Sequence, residues 1–332
     1  MNEAEYLPLI FAGIMALAIL VYAILDGYDL GVGILLPMDN PEARNTMIAS
    51  IGPFWDANET WLVLAIGILL IAFPAAHNVI FQELYIPTAI LLSGLIARGV
   101  AFDFRTKAAS RFHRTWDHVF RGGSLISALS QGYMLGMYVT GFEHTLVATA
   151  FCLLSAFCVA AAYSYIGAAW LVMKTEGDIQ RYAAKWGRRA GWLTALGVVT
   201  VSLVNPIVNP SVFEVWFSFP TALGLMIIPI VCFGLFIVVD RLFKYIPDNN
   251  DQLCWVPFIA TVMIFFCCFQ GFAISFYPYL VPEKMTLWQA ASATESLRFM
   301  FTGVVVIVPT ILLYTLFSYR VFWGKATQLK YY

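Results

Sequence analysis

An all-α, polytopic membrane fold is predicted for this chain by three features of its sequence. Hydrophobic residues make up 61% of its 332 positions and charged residues only 12%, where soluble domains carry roughly a quarter charged residues. Mean hydropathy is +0.78, and the apolar residues gather into stretches near the 20 residues that a helix needs to cross a bilayer. The Lys and Arg residues, finally, are distributed very unevenly between the stretches. Nine spans are expected, forming two helical bundles plus a peripheral helix in a single integral-membrane domain over 1–332.

In order, the spans are 8–35, 54–75, 79–101, 119–139, 145–173, 189–208, 219–240, 254–277 and 299–320. The acidic start M-N-E-A-E-Y lacks a cationic segment or a small-residue cleavage site, so no cleaved signal peptide is expected. A short turn joins the first two spans, and F-P-A-A-H-N makes a tight reversal after the second. The longest connections are Phe102 to His118 and Tyr277 to Arg298. Between 205 and 220 the chain reads N-P-I-V-N-P-S-V-F-E-V-W-F-S-F-P. There, and from Tyr277 to Trp288, Pro fixes turns, and Trp and Tyr favour the headgroup layer. Thr286 to Leu297 is expected as a short surface helix with Thr286 as N-cap.

From Arg44 to Lys330, every Lys and Arg except Lys284 and Arg298 follows an odd-numbered span. Cytoplasmic loops hold the basic excess, so the N-terminus is expected outside and the C-terminus in the cytoplasm. A missed span would scramble this alternation, so it also supports the count.

Chemistry concentrates between Leu25 and Trp61. D-G-Y-D-L-G-V-G places Asp26 and Asp29 three apart near the inner end of the first span, and Asp56 and Glu59 are three apart at the inner start of the second. Residues at this spacing share a helix face. Low dielectric disfavours the charged form of a carboxylate, and acids so placed are the groups that proton relays in membranes use. The alternative is that Asp56 and Glu59 cap a helix start. Gly27, Gly31 and Gly33 allow close backbone approach. Trp55, Asn58 and Trp61 line either a packed seam or the mouth of a route through the bundle. Arg98, Asp103 and Arg105 suggest a fixed ion pair at the inner end of the third span, or a plain cytoplasmic anchor.

Other chemistries lack their signatures. The six cysteines, Cys152, Cys158, Cys232, Cys254, Cys267 and Cys268, lie in apolar sequence without C-x-x-C spacing, so neither a metal site nor a disulfide framework is indicated. His77, His113, His118 and His144 sit in or beside loops, whereas haem in a bundle usually needs an axial His. Met134 and Met263 read as packing residues. Phosphate loops, nucleophile elbows and dinucleotide fingerprints are missing, and nothing suggests nucleic acid. The chain is expected to bind no redox cofactor of its own.

At these residues the sequence resembles subunit II of the cytochrome bd-type quinol oxidases. The resemblance rests on D-G-Y-D-L-G-V-G from Asp26, W-D-A-N-E-T-W-L from Trp55, R-G-V-A-F-D-F-R-T-K from Arg98, and P-Y-L-V-P with T-L-W near Pro278. The W-D-A-N-E-T wording is similar to the cyanide-insensitive branch. The resemblance implies a bacterial inner-membrane complex in which a homologous subunit I holds two b-type haems, one d-type haem and the quinol-oxidation loop. It implies that this chain assists assembly, that small accessory transmembrane subunits and a structural quinone are options, and that oxygen is reduced to water with cytoplasmic protons. By position Asp26, Asp29 and Asp56 match acids of a cytoplasmic proton path, and Trp61 matches a tryptophan beside the oxygen route. Where some members have Gly and Gln after the W-D pair, this chain has Ala57 and Glu59, so Glu59 is an added proton-site candidate. An ion-coupled secondary transporter is the alternative from another class, although transporters place such sites near mid-membrane. A purely structural assembly subunit is the third reading.

Overall fold

Long apolar runs with few breakers produce long helices, and a computed structural model shows them over residues 3–219, 221–248 and 251–326. Two sequence features, Pro220 at the end of the outer aromatic segment and Lys330 in the basic tail, lie outside these described residues. The helices are α1 (Glu3–Ile34), α2 (Pro41–Ile51), α3 (Trp55–Ala72), α4 (Pro74–Lys107), α5 (Ser110–Val139), α6 (Leu146–Lys174), α7 (Gly177–Val208), α8 (Pro210–Phe217), α9 (Thr221–Leu225), α10 (Ile227–Tyr245), α11 (Val256–Phe276), α12 (Leu287–Ala290) and α13 (Thr294–Val321). One antiparallel ribbon pairs β1 (Tyr279–Val281) with β2 (Met285–Thr286).

Among the described residues, eight helical stretches are long and apolar enough to cross a membrane. The ninth expected span, 119–139, falls inside α5. That helix is 30 residues long but carries Arg111, Arg114, Asp117 and Arg121, followed by Ser124, Ser127, Ser130 and Gln131. Its polarity keeps it out of the apolar set, yet it packs between α4 and α6 in the middle of the bundle.

Several connections are more helical than the sequence suggested. The turn after the first span holds an 11-residue helix, α2, started by Asn40, whose side chain accepts from the Ala43 N–H, with Pro41 at the first helical position. The Phe102–His118 connection is mostly helix, because α4 runs on to Lys107 and α5 begins at Ser110. In the outer segment α7 continues through Pro206 to Val208, and Pro210 opens α8. Pro206 is tolerated within the end of α7 and Pro210 starts a helix, so neither makes the expected turn. Conversely, the surface helix expected over Thr286–Leu297 shrinks to four residues. Thr286 caps it in a capping box with Gln289, and the chain then breaks before α13.

Two buried clusters stack along the helices. One joins the start of α1, the ends of α3 and α5, and the ribbon through Leu7, Phe11, Ala72, Met137 and Val281. The other joins the opposite ends through Tyr28, Leu36, Met47, Trp170 and Phe243. Successive long helices therefore alternate in direction. Of the eight apolar stretches, α13 is the least buried.

The tightest contact is between α1 and α6. A Cβ on Gly31 would stand 1.8 Å from the Tyr163 carbonyl oxygen, and one on Gly167 would stand 2.6 Å from the Gly31 carbonyl carbon. Both contacts are with backbone, which cannot rotate away. Gly31→Ala is therefore expected to force the helices apart at a cost of about 1–3 kcal/mol or more. Thermal unfolding of the purified protein checks this, with a lower midpoint expected for Gly31→Ala than for Gly13→Ala, where a Cβ meets nothing within 4 Å.

Candidate functional site

Three helices bring the acids to one basic side chain. Asp26 and Asp29 face inward from α1, Glu59 from the first turns of α3, and Arg98 from the later part of α4. Arg98 Nη1 donates to Asp26 Oδ1 at 2.7 Å and to Glu59 Oε1 at 2.9 Å. Its Nη2 lies 3.7 Å from Asp29 Oδ2. Arg98, Asp26 and Asp29 are completely buried, while Glu59 is partly exposed. Asp29 stands five residues before the end of α1, and Glu59 four residues after the start of α3. At 1.5 Å per residue the cluster is thus about 6–8 Å inside the helix ends.

Burying a guanidinium is costly unless it is paired; Arg98 is paired with two carboxylates through Nη1, while its Nε and Nη2 make no hydrogen bond among the described residues. The arrangement holds three carboxyl groups against one fixed cation, however, and one guanidinium offsets one carboxylate. Asp26 Oδ2 and Asp29 Oδ1 are also buried without hydrogen bonds among the described residues. Such a site has spare acceptor capacity for protons.

Asn58, which sequence grouped with the two tryptophans, belongs to the acid cluster. Its Nδ2 donates to Asp29 Oδ2 at 2.8 Å and to the Tyr28 hydroxyl at 3.0 Å. The Tyr28 and Tyr319 hydroxyls are 2.5 Å apart, and Tyr319 donates to Asn58 Oδ1 at 3.4 Å. Tyr28 stacks on Trp170 with ring centroids 4.2 Å apart. A polar thread thus runs from Asp29 to the last turn of α13.

The other predicted residues fall at different places. Asp56 is exposed in the first turn of α3, outside the cluster. Glu59, for which capping was one reading, is an ion-pair partner instead. Trp55 packs against Phe102, with the Arg98 guanidinium 5.7 Å from its ring centroid. Trp61 is buried with Ala18, Tyr22 and Ala65, against Ile311 and Leu312 of α13. Both tryptophans thus form packed contacts.

The ion pair expected within Arg98, Asp103 and Arg105 divides into two clusters. Arg98 binds the acids above. Arg105 Nε instead contacts Asp117 Oδ1 at 2.5 Å, and Arg44 Nε contacts Asp117 Oδ2 at 2.7 Å. Arg44 also donates to the Met38 carbonyl at 2.7 Å, which ties α2, α4 and α5 together. Asp103 projects from the exposed side of α4, because residues five apart on a helix point in different directions from those three or four apart.

Sequence reading missed Tyr28, Tyr319 and Asp117. Tyr28 stands between the two acids, and Asp117 is the acid within a basic segment, so both left a local trace. Tyr319 left none, since its contact comes from 291 residues away. No group of three His, Cys, Asp or Glu suited to a metal occurs among the described residues, and the six cysteines are free thiols. The histidines are peripheral: His113 faces the Ala108 carbonyl, His144 contacts Glu83 at the surface, His77 stacks on Phe81, and His118 is exposed. They offer no buried axial pair for a haem.

Comparison with known proteins places the chain in a family. The model for cytochrome bd terminal oxidase subunit II matches residues 7–322. Cytochrome bd-I ubiquinol oxidase subunit 2 of Escherichia coli (strain K12) is 27% identical over an alignment of 374 residues, covering 99% of this chain and 97% of that protein. Cytochrome bd ubiquinol oxidase subunit 2 of Bacillus subtilis (strain 168) is 27% identical over 323 residues, covering 93% and 94%. Among solved structures, a chain in the bd oxidase from Geobacillus thermodenitrificans superposes with a TM-score of 0.74 at 20% identity, covering 94% of this chain and 99% of that one.

Proposed function

Because the chain belongs to the cytochrome bd terminal oxidase subunit II family, we propose that it is the haem-free half of a quinol:oxygen oxidoreductase and supplies the complex with cytoplasmic protons. The observation that carries this reading is the buried site where Asp26, Asp29 and Glu59 converge on Arg98. One fixed cation beside three carboxyl groups leaves acids free to gain and lose protons with modest change in net charge. Two neighbours lead outward: exposed Asp56 lies one turn from Glu59, and Tyr319 links Asp29 to the end of α13. In this reading Asp56 is the collecting group at the surface, Glu59 and Asp26 form the first buried station, and Asp29 the second. Trp55 and Trp61 wall the site and border any hydrophobic path for oxygen.

The reading places nine spans in the bacterial cytoplasmic membrane, with α5 as the fourth, the N-terminus outside and the C-terminus in the cytoplasm. The bundle divides around α6 into two halves, with α13 peripheral. A homologous subunit I provides the haems and the quinol site, consistent with histidines here that do not fit an axial role. The second reading, that the cluster is structural, is favoured by the short Arg98 contacts and the full burial of Arg98, Asp26 and Asp29; it differs in predicting that neutral acids leave turnover intact.

Purification of the complex in mild detergent tests the assignment. A haem-rich second chain is expected to co-purify with this one and to carry the entire visible absorption, this subunit being colourless when separated. A solitary, colourless protein would overturn the oxidase reading in favour of transport.

A further inference from the structure

Lys174 ends α6, where a basic residue ordinarily reaches water or headgroups, yet only 4% of its surface is exposed. Its ammonium is turned instead onto the end of α13. Nζ donates to the Phe322 carbonyl at 2.9 Å and to the Gly324 carbonyl at 3.0 Å. It also lies 5.1 Å from the ring centroid of Trp170 and 5.7 Å from that of Phe54. Phe322 is the C-cap of α13. Carbonyls at a helix end lack partners within the helix and carry the negative end of its dipole, so the buried ammonium and the helix end satisfy one another. A second lysine closes the contact from the other side. Lys325 Nζ donates to the Thr175 carbonyl at 3.1 Å and pairs with Asp251, which also accepts from Gln180. The turn after α6 and the end of α13 are thus clasped reciprocally.

Helix α13 needs such a hold. Of its 28 residues only Leu297, Val304 and Ser318 are buried, so lateral packing does little to fix its height or rotation. Its last turn nevertheless carries a group that requires both. Tyr319, three residues before Phe322, stacks on Phe54 with ring centroids 4.5 Å apart. Its hydroxyl meets those of Tyr28 and, through Asn58, the Asp29 carboxyl. The rings that receive the ammonium, Phe54 and Trp170, are the ones stacked on Tyr319 and Tyr28, so the lysine and both phenols share one aromatic wall. A slip of one residue would move Tyr319 about 1.5 Å along the axis and swing it to another face, which would break these contacts.

We propose that Lys174 is a positioning residue for Tyr319. By capping α13 from the end of α6, it fixes the last turn of that helix and keeps the Tyr319 hydroxyl joined to Tyr28 and Asn58 beside Asp29. Its bearing on proton supply rests on the reading of Asp29 as a proton carrier, whereas the clasp itself does not. Lys174 carries no proton in this role, since its hydrogen bonds go to backbone carbonyls.

The test uses the intact oxidase complex, with haem content measured to confirm assembly. Amide hydrogen exchange at the end of α13 and steady-state quinol oxidase kinetics are recorded for Lys174→Met, Tyr319→Phe, the double variant and Asp29→Asn. Methionine keeps an unbranched apolar stem and removes the donors. Lys174→Met is expected to speed exchange in the last turn of α13 about tenfold, the worth of one hydrogen bond. Turnover at saturating quinol is expected to fall about tenfold, with KM for quinol unchanged. Tyr319→Phe is expected to lower turnover similarly with less effect on exchange. The double variant is expected to be no slower than the slower single one, because Lys174 acts through Tyr319. Unchanged exchange in Lys174→Met overturns the clasp. Faster exchange with full turnover, a turnover loss that Tyr319→Phe does not share, or losses that multiply in the double variant overturns the positioning role. Full turnover in Asp29→Asn would instead fail the proton reading, and the exchange result would still decide whether Lys174 holds the helix end. Should Lys174→Met lose haem, Lys325→Met, which opens the other half of the clasp, decides by the same two readouts.

Discussion

Asp29→Asn is expected to lower quinol oxidase turnover by about 10²-fold, with haem content unchanged. The magnitude is the low end of what removal of a positioned proton-transfer group costs. Asparagine has nearly the shape of aspartate and can still bond to Asn58 by rotating its amide. The contact that Asp29 makes with Arg98 is long, at 3.7 Å, and Arg98 retains Asp26 and Glu59. Packing and charge pairing therefore survive, and what is lost is a group able to take up and release a proton. Steady-state oxygen consumption, beside the visible spectrum of the same preparation, checks this. Full turnover in the variant would return Asp29 to a structural role, and loss of haem would reassign it to assembly. Asp56→Asn makes a graded comparison. Asp56 is exposed, and solvent and neighbouring acids can substitute for a collecting group, so its loss is expected to matter less than that of Asp29.

The chain's class and much of its site were legible in sequence because both depend on composition and local spacing. Apolar stretches must be helices in lipid, since no other segment can satisfy its backbone there alone, and the basic residues set their alternation. Asp26 and Asp29 had to share a face, and Gly31 had to meet a backbone. Illegible were the features fixed by contacts between distant segments. Nothing near Arg98 shows that its partners are 72 and 39 residues away, so Asp103 looked like the natural acid. Glu59 read equally as a proton site or as a capping group, because it opens a helix, and the packing of α3 beside α4 turns it toward Arg98. Asp56, three residues earlier, lies in the exposed first turn of α3. The polar helix α5 blurred the span count for a similar reason: its Gln131 serves partners on α1 and α6 and its Asp117 partners on α2 and α4, which no hydropathy profile can anticipate.

Arg98 is the residue whose loss should be most damaging. Arg98→Leu fills similar apolar volume but leaves Asp26, Asp29 and Glu59 together without their cation. Removing one partner of a buried ion pair costs about 3–5 kcal/mol, a large part of the 5–15 kcal/mol that typically separates folded from unfolded chains. Failure to assemble is therefore expected, seen as loss of haem from the purified membrane fraction. Arg98→Lys is expected to be intermediate. One ammonium keeps the charge but lacks the planar fork that lets Arg98 address Asp26 and Glu59 from Nη1 while Nη2 faces Asp29. The decisive comparison is Arg98→Leu combined with Asp26→Asn and Glu59→Gln. If Arg98 is needed because it neutralises buried acids, removing two of the three should restore assembly even though no ion pair is rebuilt, since apolar or neutral replacement of a buried ionic group is often tolerated. Turnover should stay low, because the same substitutions remove the first proton station. Assembly without turnover would separate the two tasks proposed for this cluster: burial of the acids, made possible by the guanidinium, and movement of protons by the acids.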